Sequence, residues 1–273
     1  MGRIANTWEL AKVSWAVLRQ DRELLLLPVL SFLSALVVLG ALLVPTLAIL
    51  DTSAGEEQSN PALAVIGIVA ALALSVISVF FNGALVAGAY ERMSGGDPTV
   101  SSAMRRAMSR ISALLPWALL TGTVGLILQA VRERAGFLGD FIVRLAGAAW
   151  EVVTFLVVPA IIIDEHSAVD GLKRSGSLLK QTWGENLAAR VGFGLLGLLA
   201  MIPAVIVVAL TGALGGAALV VGIGVAVIYV GLVIVTLTAL NAVFQTALYL
   251  YATTGSVPTG YENSNLRNSF SRK

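Results

Sequence analysis

Polar side chains are scarce in the long apolar runs of this chain, and those present recur at helical spacing. Glu151 is the only acid well inside such a run. About twelve residues separate it from the charged segment that follows, which at 1.5 Å per helical residue is about 18 Å and places it near a bilayer midplane. Asn241 and Ser78 fall at similar depth in two other runs, and one turn away come Asn82, Thr154 and Gln245. Three stripes result: Ser75–Ser78–Asn82, Glu151–Thr154 and Thr238–Asn241–Gln245. Polar groups in hydrocarbon are costly, so a shared layer of them marks a polar path or solute site. In that reading Glu151 relays a proton or holds a cation while amides and hydroxyls line the route. The competing reading is interhelical glue: a protonated Glu151 bonded to Asn241, each such bond worth about 0.6–2 kcal/mol.

Other chemistry is thin. The chain has no cysteine and one histidine, His166, which follows Asp164 and Glu165 in a connector. That triplet could hold an ion or act on a lipid headgroup; a solvated loop is its default reading. No GxSxG, HExxH or P-loop pattern occurs, and no acids cluster at metal-ligand spacing. The expectation is a protein that is not an enzyme and uses no cofactor or metal. The formal net charge of +2 is too small to imply nucleic acid as a partner.

What positions the polar layer is a set of membrane spans. Of the 273 residues, 57% are hydrophobic and 12% charged, against about 25% charged in a soluble protein. Mean hydropathy is +0.88. Lipid must cover that much apolar surface, and a span needs roughly 20 apolar residues. Six segments qualify: Leu24–Leu50, Ala62–Tyr90, Ile111–Val131, Leu145–Ile163, Leu187–Thr211 and about Gly224–Ala252, with the last turn expected within Gly212–Gly224. The first run outlasts the 7–15 residues of a signal h-region and is expected to stay in the membrane.

Basic residues predict the orientation. Of the 18 Lys and Arg residues, only Arg132, Arg134 and Arg144 fall outside the N-terminal segment, the second and fourth connectors and the tail. The positive-inside rule then puts both termini in the cytoplasm and Asp51–Pro61 outside, in a multi-pass protein of the cytoplasmic (plasma, in bacteria inner) membrane.

The basic segments also share a form. Amphipathic helices are expected near Ile4–Gln20, Thr99–Arg110 and Ala168–Trp183, each feeding an apolar hairpin. Asp97 before Pro98 reads as an N-cap followed by proline at the first helical position. Ser167 and Asp170 read as a variant capping box. Trp8, Trp15 and Trp183, with Arg105, Arg106, Lys173 and Lys180, suit a headgroup layer, where anionic lipid would be the partner. Lys12, Ser14, Leu18 and Gln20 recur as Lys173, Ser175, Leu179 and Gln181 at a constant offset of 161. Phe81, Ala84 and Leu85 recur as Phe244, Ala247 and Leu248 at 163. The chain thus reads as an all-α membrane domain over residues 1–254, with parallel pseudo-repeats 1–92, 93–165 and 166–254 and a tail over 255–273. Gly83, Ala84, Ala87, Gly88, Gly192 and Gly197 permit close helix contact within the chain or in a homo-oligomer. Pro28, Pro45, Pro116, Pro159 and Pro203 sit in or near the spans, where proline frees carbonyls and kinks helices.

FLVVPAIIIDE (Phe155–Glu165), SGSLLKQTWGEN (Ser175–Asn186) and ALYLYATTGSVPTGYENSNL (Ala247–Leu266) resemble an uncharacterised family of six-helix prokaryotic membrane proteins, known as a domain of unknown function. The resemblance implies a bacterial or archaeal source and one full-length domain, and it carries no catalytic residues. The function expected from the residues is passage of an ion or small solute through the polar layer of the even-numbered spans. The alternative is a non-conducting scaffold or lipid-binding protein working through its surface helices.

Overall fold

The computed structural model of the protein describes residues 12–52, 61–182 and 188–261. All regular structure among them is helical. Residues 12–18 form α1. A 3-10 turn at Arg22–Leu25 leads into α2 (Leu26–Thr52), then α3 (Pro61–Met93), α4 (Val100–Ser109), α5 (Ile111–Arg134), α6 (Phe137–Thr154), α7 (Val157–Ile162), α8 (Ala168–Thr182), α9 (Ala188–Leu214) and α10 (Gly216–Thr254). Trp8 and Trp183 lie outside the described residues.

Six helical stretches are long and apolar enough to cross a membrane: Arg22–Leu50, Pro61–Met93, Ile111–Arg134, Gly139–Ile162, Gly197–Leu214 and Gly216–Thr254. They match the six runs expected from hydropathy. Two details differ. The last turn is tighter than expected, because Gly215 and Gly216 take φ values of 67° and 52° that other residues resist, and α10 starts at once. The fourth span is two helices, α6 and α7, separated at Phe155–Leu156.

Buried residues gather at one end of the bundle, called here the closed end. There α1, α4, α7 and α8 meet the start of α2 and α5 and the last turns of α3 and α10. Leu18, Leu24, Leu27, Leu85, Ala103, Leu114, Ile161, Leu178, Phe244 and Tyr249 are all buried in one core. Small residues let the helices approach: a Cβ on Gly88 would lie 2.7 Å from Leu24 Cδ2, and one on Gly83 would lie 3.1 Å from Leu114 Cδ1. Gly83, Ala84, Ala87 and Gly88 are thus spent on packing within the chain. At the other, open end α2 pairs with α3, α3 with α5, and α9 with α10. Their remaining faces expose large apolar side chains such as Val44, Leu47, Leu210, Leu214 and Val220. In water that surface would aggregate, whereas lipid covers it at no penalty.

Polar ties lock the closed end. Buried Asp21 accepts from the Arg92 guanidinium, and Arg92 also reaches Asp97 at 2.6 Å. The expected N-cap of α4 shifts as a result. Asp97 is taken by Arg92, and the cap is Thr99: its hydroxyl accepts from the Ser102 N–H at 3.0 Å while Ser102 Oγ accepts from the Thr99 N–H at 3.0 Å. At α8, Ser167 Oγ accepts from the Asp170 N–H at 3.2 Å and donates to Asp170 Oδ2 at 2.7 Å. That bond, helped by Lys173, holds the Asp170 carboxyl below its ordinary value. Ser14 Oγ and the Tyr261 hydroxyl lie 2.6 Å apart, which brings the two ends of the described chain together.

Candidate functional site

Helical periodicity builds one large cleft. On α3, Leu74, Ile77, Ser78, Phe81, Asn82 and Leu85 share a face; on α6, Leu145, Ala148, Ala149, Glu151 and Val152 line it; on α10, residues from Ile228 to Asn241 do. The start of α2 closes a fourth side with Pro28, Ser31, Phe32 and Ala35. The volume is about 1250 Å³. α6 rests on α5 and α8, so the cleft separates it from α2, α3 and α10.

Among the described residues Glu151 is the only charged side chain lining the cleft, and five polar ones accompany it: Ser31, Ser78, Asn82, Thr238 and Asn241. Ser78, Asn82, Glu151 and Asn241 were expected to share a layer, and the structure brings them to one cavity. None of the six side chains has a hydrogen-bond or ion-pair partner among the described residues. Glu151 and Asn241 in particular are not bonded to each other. Several small hydroxyls elsewhere in the spans behave differently. Ser34, Thr46, Thr123, Thr211 and Thr246 all donate to the carbonyl four residues back, as such side chains do in apolar surroundings.

The rest of the expected layer falls outside the cleft. Ser75 faces α5 and donates to the Ala118 carbonyl at 2.7 Å. Thr154 donates to the Trp150 carbonyl at 2.7 Å. Gln245 is buried beneath the cleft and donates from Nε2 to the Phe155 carbonyl. Ser31 joins the cleft from the first span, where a serine in an apolar run carries no distinct signal of its own.

The floor toward the closed end is the break in the fourth span. Pro159 has no N–H, so the Phe155 carbonyl loses its helical partner, and Gln245 supplies the missing donor. Ser175 enters the same break from α8. Its hydroxyl accepts from the Leu156 N–H at 3.1 Å and donates to the Val153 carbonyl at 2.5 Å. Phe155 and Phe244 pack across it with centroids 6.4 Å apart. The break is therefore closed and satisfied by side chains, not by helical turns. Irregular backbone at membrane depth is tolerated only under such conditions.

Around the closed end, Arg106 donates to the Ile162 carbonyl at 3.1 Å and so caps α7. It lies 3.7 Å from Glu165, and Arg110 pairs with the same carboxylate at 3.2 Å. Glu165 has a φ of 59°, a left-handed conformation unusual for its type, and these two arginines hold it there. Asp164 accepts from the Tyr249 hydroxyl at 2.5 Å. The Asp164–His166 segment is thus tied into the fold. Trp15, Arg105, Lys173 and Lys180 are exposed, and Lys173 pairs with Asp170 at 3.6 Å. Among the described residues no three His, Asp or Glu side chains come together as a metal group.

Apolar spans, a packed closed end and an unsatisfied polar cleft between helices define a multi-pass helical membrane protein. Residues 62–260 match the family described as "Family of unknown function (DUF6159)", and the chain belongs to that family. No curated protein matches the chain.

Proposed function

We propose that the cleft is the solute site of a membrane passage protein, with Glu151 as the charged anchor and Ser78, Asn82, Thr238 and Asn241 as hydrogen-bonding partners. The observation that carries this reading is their lack of any partner among the described residues. Structural polar residues in a bilayer find a bond, so groups left without one are suited to water or a bound solute.

With the orientation expected from the basic residues, the closed end faces the cytoplasm. The chain then has a passage shut on its inner side by the α6–α7 break, the arrangement that alternating access uses around a fixed site. Opening would separate Phe155 from Phe244 and release the Gln245 and Ser175 bonds. The repeat supports this picture: Phe81, Ala84 and Leu85 are buried, and so are Phe244, Ala247 and Leu248. Neither catalysis nor a cofactor is needed for this role, in a cytoplasmic membrane.

The test is solute flux into proteoliposomes. Wild-type protein should pass its solute, Glu151→Gln should reduce the rate at least tenfold, and Asn241→Leu should reduce it severalfold. Normal flux in both variants would remove the site. A second reading, a lipid-binding scaffold, is favoured by the exposed Trp15, Arg105, Lys173 and Lys180. It predicts no flux, with vesicle binding that rises with anionic lipid and falls on Arg105→Ala with Lys180→Ala.

A further inference from the structure

Resting on the reading of the cleft as a solute site, we propose that its ligand is an organic monocation with an apolar body. It reaches the cleft sideways from the bilayer and is held by the Glu151 carboxylate.

Size argues first. The cleft holds about 1250 Å³, the volume of about forty waters at about 30 Å³ each. Drug-sized ligands occupy sites of about 300–1,000 Å³. Ca²⁺ or Mg²⁺ needs instead a tight shell of about six to eight oxygens at about 2.0–2.6 Å. The few oxygens here come from four helices around a wide space.

Wall chemistry argues next. Phe32, Leu74, Ile77, Phe81, Leu145 and Leu232 make most of the lining apolar. A sugar-like solute would leave its hydroxyls against hydrocarbon, whereas an aromatic or alkyl body would gain from burial. Charge then decides the sign. Among the described residues Glu151 is the only ionisable one in the lining and no Lys or Arg joins it, so the cleft attracts one positive charge and repels an anion.

The way in follows from packing. α6 is packed along α5 and α8 and makes no extended contact with α10 or α2. Leu145, Ile228 and Leu232 on the facing rims are exposed at hydrocarbon depth. An amphiphile dissolved in the bilayer can therefore reach Glu151 without crossing the aqueous ends.

The experiment is equilibrium binding to the full chain in nanodiscs of zwitterionic lipid. The probes are radiolabelled tetraphenylphosphonium and its near-isosteric anion, tetraphenylborate. Saturable binding of the cation is expected, at least tenfold weaker in Glu151→Gln, retained within about threefold in Glu151→Asp, and unchanged in Arg105→Ala. Tetraphenylborate should show no saturable binding. Thermal unfolding of each variant separates a lost site from a lost fold. Equal cation affinity in wild type and a folded Glu151→Gln, or equal affinity for both probes, overturns the ligand class. Two further outcomes separate this inference from the passage reading. Absence of cation binding alongside Glu151-dependent flux of a hydrophilic solute removes the ligand class and leaves passage standing. Tight, Glu151-dependent cation binding with no flux of the bound cation removes passage and leaves the ligand class.

Discussion

Gln245 is the residue whose chemistry is most easily misread. Its depth and spacing group it with Asn241, yet it answers a vacancy in the backbone ladder that Pro159 creates. Removing its amide takes away the buried bond to the Phe155 carbonyl, which costs about 1–3 kcal/mol. Gln245→Leu should therefore lower the thermal midpoint in detergent. Pro159→Ala restores an N–H at that turn, so the Gln245→Leu/Pro159→Ala pair should recover much of the loss. A pair no more stable than Gln245→Leu alone would sink this account. Glu151 was legible in the sequence because a lone acid in an apolar run stands out at any register. The separate fates of Gln245 and Asn241 were not, since they lie one turn apart on the same stripe. Only the position of the break in a different span sorts one into the floor and the other into the cleft.

Among the elements, α4 illustrates how tertiary partners choose between local signals. Asp97-Pro98 and Thr99 are both plausible starts, and the ion pair from Arg92 withdraws Asp97 from the competition. Thr99→Ala should destabilise the protein by about 1 kcal/mol through the lost cap. Asp97→Ala, which leaves the Arg92–Asp21 pair in place, should cost less. Denaturation midpoints of the two variants would decide it, and the reverse order would restore Asp97 as the cap. The existence of six spans was legible because apolar length alone specifies a bilayer helix. The division of the fourth into α6 and α7 was not, because proline also occurs in the unbroken α2, α5 and α9. What distinguishes Pro159 is that Gln245 and Ser175 are placed to satisfy the carbonyls and the N–H left free around it.

At the scale of the whole molecule, the contact between Ser14 and Tyr261 joins the first helix to the segment after the last one. Ser175, the residue offset from Ser14 by 161, makes the corresponding kind of buried contact with the end of the fourth span. Both α1 and α8 thus lean on a neighbouring segment through a buried serine, α1 on Tyr261 and α8 on the end of the fourth span. Burial pushes the Tyr261 hydroxyl well above the ordinary tyrosine value of 10.0. The sign follows from linkage. The folded state holds the proton that the unfolded state releases, so this stabilisation is complete below pH 10 and is lost as pH rises above it. Wild-type protein should lose more stability than Tyr261→Phe between pH 9 and pH 11, by thermal unfolding in nanodiscs. Parallel losses would show that the hydroxyl is not buried in solution.

The uneven burial of the two ends has a mechanical side. A bundle that is tight in one leaflet and loose in the other resembles a wedge, and its cross-section changes most readily in the loose one. Closing the space beside α6 would shrink the area occupied in the loose leaflet while leaving the tight one unchanged. Under the proposed passage role, lipids that raise lateral pressure there would do work on the protein directly, so membrane tension and headgroup size would act on its conformation alongside the solute.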